Sequence, residues 1–115
     1  MTKEEFLVSN LGGPQDGRCV VRIAGSLTLA NVFAFREAVR EPTAPAIILD
    51  MSGVPYMDST GLGALIGAKL FHEQAGRQLA LVGLNEKTAA LLKMTNVENV
   101  FTIYSTLAEA GVRPA

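Results

Sequence analysis

Several kinds of chemistry are closed to this 115-residue chain by what it has little of: one cysteine, one histidine, no run of charge of one sign and no long apolar stretch. With only Cys19, no internal disulfide can form. The residue stands in an apolar, strand-like run and is expected to be a buried core thiol. One cysteine and one histidine, His72, cannot assemble a zinc site, so no metal or other cofactor is expected. No apolar run approaches the roughly 20 residues of a membrane helix. Met1-Thr2-Lys3-Glu4-Glu5 also puts acids where a signal peptide needs positive charge. A cytoplasmic chain with no membrane partner is therefore expected. Ten basic and eleven acidic side chains give a net charge of -1. Without a basic patch interleaved with aromatics, no direct nucleic-acid partner is expected.

What is present is a core. Hydrophobic residues make up 49% of the chain and charged residues 18%, with five prolines dispersed, a composition of globular rather than disordered chains. A chain of this length buries roughly two thirds of its unfolded surface as one domain, residues 1–115. Phe6-Leu7-Val8 is a first strand. The turn formers from Gly12 to Gly17 then lead to a second strand at Arg18 to Ala24, expected to return beside it as a hairpin and to close at Gly25. Cys19, Val21 and Ile23 should face inward. Asn31 is placed to cap a helix whose stripe is Val32, Phe35 and Val39, ended by Pro42 and Pro45.

Ala46-Ile47-Ile48-Leu49, a continuous β-branched run ending at Asp50, predicts a central strand covered by helices on both faces. Ser52-Gly53-Val54-Pro55 predicts a turn. Beyond it Leu62, Leu65, Ile66 and Leu70 recur at helical spacing up to about Ala75, with Gly76 as the C-cap. Leu79 to Leu84 predicts a parallel strand completing a right-handed βαβ unit. Asn85 should cap a third helix with Leu91, Leu92 and Met94 inward. Val100 to Tyr104 predicts a last strand, and Thr106 with Glu109 has the form of a capping box for a short final helix. The total is about five strands and four helices in one α/β layer structure.

The glycines and hydroxyls at the central strand-to-helix junction suggest catalysis, and their spacing argues against it. Gly61, Gly63 and Gly67 miss the dinucleotide fingerprint G-x-G-x-x-G by one residue, and Lys69 has no glycine before it as a phosphate loop requires. Ser59 lacks the preceding glycine of a nucleophile elbow, since Met57 stands there. His72 lies thirteen residues along the same helix, about 20 Å at roughly 1.5 Å per residue. It cannot serve Ser59 as a base and is expected at the surface. Asp58-Ser59-Thr60 on its own is a helix cap. Gly63 and Gly67 each cost a helix about 1 kcal/mol relative to alanine. Either close packing on the sheet or a flat surface offered to a partner should offset that.

The string Tyr56-Met57-Asp58-Ser59-Thr60-Gly61-Leu62-Gly63-Ala64-Leu65, following Ile48-Leu49-Asp50-Met51-Ser52-Gly53-Val54, closely resembles the signature of the bacterial anti-sigma factor antagonists of the STAS-domain family. Ile23 to Leu27, Gly76 to Leu84 and Leu91 to Thr95 resemble the family more loosely. The resemblance implies a mixed sheet of four to five strands flanked by about four helices, without catalytic activity. It also implies that Ser59 is phosphorylated by a partner that is both anti-sigma factor and serine kinase, with Thr60 as a secondary site and a PP2C-type phosphatase to reverse the modification. Asp58 would orient the hydroxyl or the partner, and Asp58, Ser59, Thr60, Gly61, Leu62, Gly63 and Thr28 would form the partner-binding surface. One position departs from the pattern: after Gly25-Ser26-Leu27 the family often has an acid, and this chain has Thr28. Two other classes share these residues. A non-switching STAS subunit of a transport or sensory assembly would bind its partner irrespective of phosphorylation. A small-ligand or nucleotide sensor would use the helix N-terminus as an anion site.

Overall fold

Alternation along the second strand decides how the sheet is buried. In β2 (Arg18–Ala24) the side chains of Cys19, Val21 and Ile23 are buried and Arg22 points outward. β3 (Ala46–Gly53) lies parallel to β2. β4 (Gln78–Val82) continues in parallel, then β5 (Thr102–Tyr104), while β1 (Leu7–Asn10) pairs antiparallel on the outer side of β2. The order is β1-β2-β3-β4-β5. This computed structural model describes residues 6–11 and 17–112. Most of the turn expected between Gly12 and Gly17 lies outside the described residues.

Three helices cover one face: α1 (Val32–Arg40), α2 (Ser59–Gln74) and α3 (Glu86–Met94). Val32, Phe35 and Val39 of α1, with Leu62, Leu65 and Ala68 of α2 and Leu92 of α3, pack on Val21, Ile23, Ile47, Leu49 and Leu81 in the main core. Each large side chain so buried contributes about 1.5–3 kcal/mol. The opposite face is not helical, contrary to the two-sided expectation. There Ile48, Ala80 and Val82 are covered by Leu107, Ala110 and Val112 of a C-terminal turn. Thr106 Oγ1 accepts from the Glu109 amide, which is half of the expected capping box, while Glu109 Oε1 reaches one residue further back and accepts from the Ser105 amide. The helix they were to start stops after one turn, because Gly111 adopts φ +85°.

Other expectations fail at single residues. Asn31 stands at the N-cap of α1 but with φ -115° and ψ -3°, and its amide nitrogen donates to Ser26 O at 2.6 Å instead of its oxygen accepting from the first turn. β3 does not end at Asp50. The carboxylate is buried inside the strand, with Oδ2 accepting from Arg22 Nε at 3.2 Å and Oδ1 from the Ser52 hydroxyl at 2.7 Å. Burial pushes the Asp50 carboxyl up, yet the Ser52 hydroxyl and amide and the Arg22 guanidinium together outweigh it and hold it below its ordinary value. Asn85 does cap α3, accepting from the Thr88 amide at 2.8 Å. Met94 is 80% exposed, since two residues beyond buried Leu92 it faces the other way. Leu70 is exposed too, having rotated about 80° from Leu62 at roughly 100° per residue. The segment Glu98–Val100 is a 3-10 turn, which shortens the last strand to Thr102–Tyr104.

His72 is the largest departure, for it is fully buried where α2 crosses the end of α1. Its Nε2 lies 2.7 Å from Val39 O, and Arg77 Nε donates to its Nδ1 at 2.9 Å. Because Nδ1 accepts, the ring is neutral with its proton on Nε2, donated to the carbonyl. Burial holds the His72 pKa below its ordinary value; the Val39 hydrogen bond opposes this, and the charges of Arg77 and Arg40 reinforce it.

Candidate functional site

Asp58 makes the junction between β3 and α2. Its backbone is extended, with φ -95° and ψ -178°, and its Oδ1 accepts from the Gly61 amide at 2.7 Å, satisfying one of the orphan donors of the first turn. Oδ2 reaches across the chain to the Leu29 amide at 3.2 Å. Both oxygens thus serve backbone amides, and no hydrogen bond joins the Asp58 carboxylate to the Ser59 hydroxyl. The loop after β2 is clasped to the same point. Leu27 forms a parallel bridge with Met57, its amide donates to Tyr56 O at 3.0 Å, and its carbonyl accepts from the Asp58 amide at 3.3 Å.

That clasp explains one glycine and not the other two. A Cβ on Gly61 would stand 2.1 Å from Leu27 O, so only glycine admits so close an approach. A Cβ on Gly63 or Gly67 would meet nothing within 4 Å. Close packing on the sheet therefore does not require them.

Ser59 is the first residue of α2 and is exposed, and its hydroxyl has no hydrogen-bond partner among the described residues. Thr60 is half-buried. Gly63 is exposed one turn further on, but Gly61 is buried and Leu62 is only 5% exposed, so these two form the floor beneath the surface. Thr28, half-buried, uses its hydroxyl locally to accept from the Ala30 amide at 3.3 Å. Beside it stand two side chains that the sequence reading passed over, Leu29 at 69% and Phe33 at 76% exposed. Their signal was available: both are apolar, four apart, and outside the Val32, Phe35, Val39 stripe. The junction therefore offers a free hydroxyl at a helix N-terminus, one carboxylate committed to backbone, and apolar side chains in the adjoining loop and helix start.

The STAS domain family matches residues 14–110, and the chain belongs to it. Among its relatives is the anti-sigma F factor antagonist of Paenibacillus polymyxa, 28% identical over 92 residues, which span 76% of this chain and 79% of that one. The crystal structure of a candidate anti-sigma factor antagonist from Thermotoga maritima superimposes with a TM-score of 0.78 at 26% identity, covering 92% of this chain and 91% of that one. The Bacillus cell fate determinant SpoIIAA in its phosphorylated form shares the fold with a TM-score of 0.64 at 16% identity, covering 93% and 97%.

Proposed function

We propose that this protein is an anti-sigma factor antagonist acting in the cytoplasm. Its unphosphorylated form binds an anti-sigma factor that is also a serine kinase and so frees a sigma factor. Phosphorylation of Ser59 ends the binding, and a PP2C-type phosphatase restores it. The observation that carries this reading is the exposed, unpartnered Ser59 hydroxyl at the first position of a helix whose N-cap is already filled by Asp58. A kinase can reach that oxygen without unfolding anything. The named relatives support the class of protein, and the phosphorylated SpoIIAA structure supports the compatibility of this fold with the modification.

Charge does the switching. A phosphoserine adds about 1.5 to 2 negative charges. Against a partner carboxylate roughly 5 Å away, at an effective dielectric between about 80 and 20, the repulsion is on the order of 1 to 7 kcal/mol. That range weakens binding by roughly tenfold to more than ten-thousandfold. The helix N-terminus tolerates the same charge, offsetting about 0.3–1 kcal/mol of its cost to the fold. The surface that docks comprises Ser59, Thr60 and Gly63 with Asp58 and Thr28 at its edge, supported from below by Gly61 and Leu62.

Incubation with the cognate kinase and ATP, read by intact mass and fragment mapping, tests the reading. The expected result is one phosphate on Ser59, absent from Ser59→Ala and retained in Thr60→Val. Phosphate on Thr60 alone, or modification of Ser59→Ala at the wild-type rate, contradicts it.

A further inference from the structure

Two large apolar side chains stand in solvent beside the candidate phosphoacceptor, Leu29 at 69% and Phe33 at 76% exposed. Exposed apolar residues scattered singly are ordinary, whereas large ones grouped on one surface mark a contact. Direct contacts locate both relative to α2. The Leu29 amide donates to Asp58 Oδ2 at 3.2 Å, one residue before Ser59. Its turn, closed by the Asn31 amide donating to Thr28 O at 2.9 Å, then runs straight into α1.

Phe33 lies on the flank of α1 that faces α2. Arg40 comes about two helical turns later and so on nearly the same flank, and its Cζ is 4.8 Å from the centroid of the Phe71 ring of α2. α1 and α2 each connect neighbouring parallel strands, so they run side by side in one direction. Counted back from the contact between Arg40 and Phe71, Phe33 is about 10 Å along α1 and Ser59 about 18 Å along α2, at roughly 1.5 Å per residue. The two therefore differ by about 8 Å along the axes and by about one interhelical spacing, roughly 8–10 Å, across them. The segment that carries both apolar side chains is itself uncharged, for no side chain from Ile23 to Phe35 is ionised.

A protein interface of standard size covers about 800 Å² of each partner, a disc of roughly 16 Å radius. One centred on Ser59 takes in Leu29 and Phe33. We propose that these two side chains anchor the anti-sigma factor, which meets them with an apolar socket beside the site that phosphorylates Ser59. Affinity then comes from this flank and the switch from the hydroxyl, and the inference rests on the proposed function. Water leaves both side chains when such a socket closes over them, and a few well-packed apolar or aromatic groups carry most of the binding energy of an interface. A polar partner surface in the same place would gain nothing from them, because the segment gives it no charge to pair with.

The test is calorimetric titration of the anti-sigma factor that phosphorylates Ser59 with the wild-type chain, Leu29→Ser, Phe33→Ser and Phe33→Leu, each shown by its melting curve to be folded. Phe33→Ser should weaken binding by about tenfold or more and Leu29→Ser by about fivefold or more, while Phe33→Leu, which keeps an apolar side chain, stays within about threefold of wild type. Either serine variant suffices should the other not fold. Wild-type affinity in the folded serine variants overturns the anchor and leaves the Ser59 switch standing. Losses in the serine variants, with phosphorylated and unmodified wild type bound equally, uphold the anchor and overturn the switch. Equal losses for Phe33→Leu and Phe33→Ser overturn the apolar socket. A wild-type chain that dimerises in sedimentation, with serine variants that are monomeric yet bound as tightly by the anti-sigma factor, overturns the proposal in favour of a second copy of this chain.

Discussion

At its first turn α2 is held by backbone: the Leu27 carbonyl lies against Gly61, and two amides close on the Asp58 carboxylate. At its last turn the same helix is held by side chains, with a buried histidine joining the Val39 carbonyl to Arg77. The difference separates two sensitivities. A backbone clasp is blind to pH in the neutral range and intolerant of added volume, and it leaves the Ser59 side chain free. A side-chain relay tolerates nothing that changes the protonation of its central ring.

The clasp should break most severely. Gly61→Ala forces a Cβ against a carbonyl oxygen and should cost about 3 kcal/mol or more, whereas Gly63→Ala, which meets open space, should gain about 1 kcal/mol. Urea unfolding of the two variants side by side measures the contrast, and similar losses for both would refute the clasp. Next in size is His72→Leu. It leaves a carbonyl and a guanidinium without their partner and should cost about 2–4 kcal/mol.

The relay also predicts a pH dependence. The folded His72 pKa lies below its ordinary value, so between that lowered value and about 6.5 the unfolded chain takes up a proton that the folded chain refuses. Stability is therefore complete above about pH 6.5 and falls as the pH drops below it, and His72→Leu should lose that slope. Denaturation at pH 7.5 and 5.5 checks this. Asp50, with a lowered folded pKa, acts in a separate window: its contribution is complete above about pH 4 and is lost as the pH falls through the folded value. Smallest is Asp58→Asn, about 1 kcal/mol: it keeps the cap on the Gly61 amide but turns an NH2 donor toward the Leu29 amide, and Asp58→Ala, which loses both acceptors, should cost somewhat more.

The same contrast explains what was legible in the sequence. β2, the stripe of α1 and the Asp58 and Asn85 caps depend on neighbours in the chain, and periodicity or a residue three positions on reveals them. Asp50 looked like a strand end because its neutralising arginine is 28 residues away. His72 looked exposed because Val39, 33 residues earlier, supplies its acceptor. At the candidate site, Ser59 and its cap were readable for the local reason. The bridge from Asp58 to the Leu29 amide, spanning 29 residues, was not. That bridge holds Leu29 in the loop, while Phe33 is exposed because it lies on α1 outside the buried stripe.

The measurement that bears most directly on the central claim is calorimetric titration of the cognate anti-sigma factor with the unmodified chain and with the chain phosphorylated on Ser59, each first shown by its melting curve to be folded. The account predicts that phosphorylation weakens binding at least tenfold while the melting temperature stays within a few degrees. Equal affinity of two folded forms, or a loss of binding that accompanies unfolding, would contradict it.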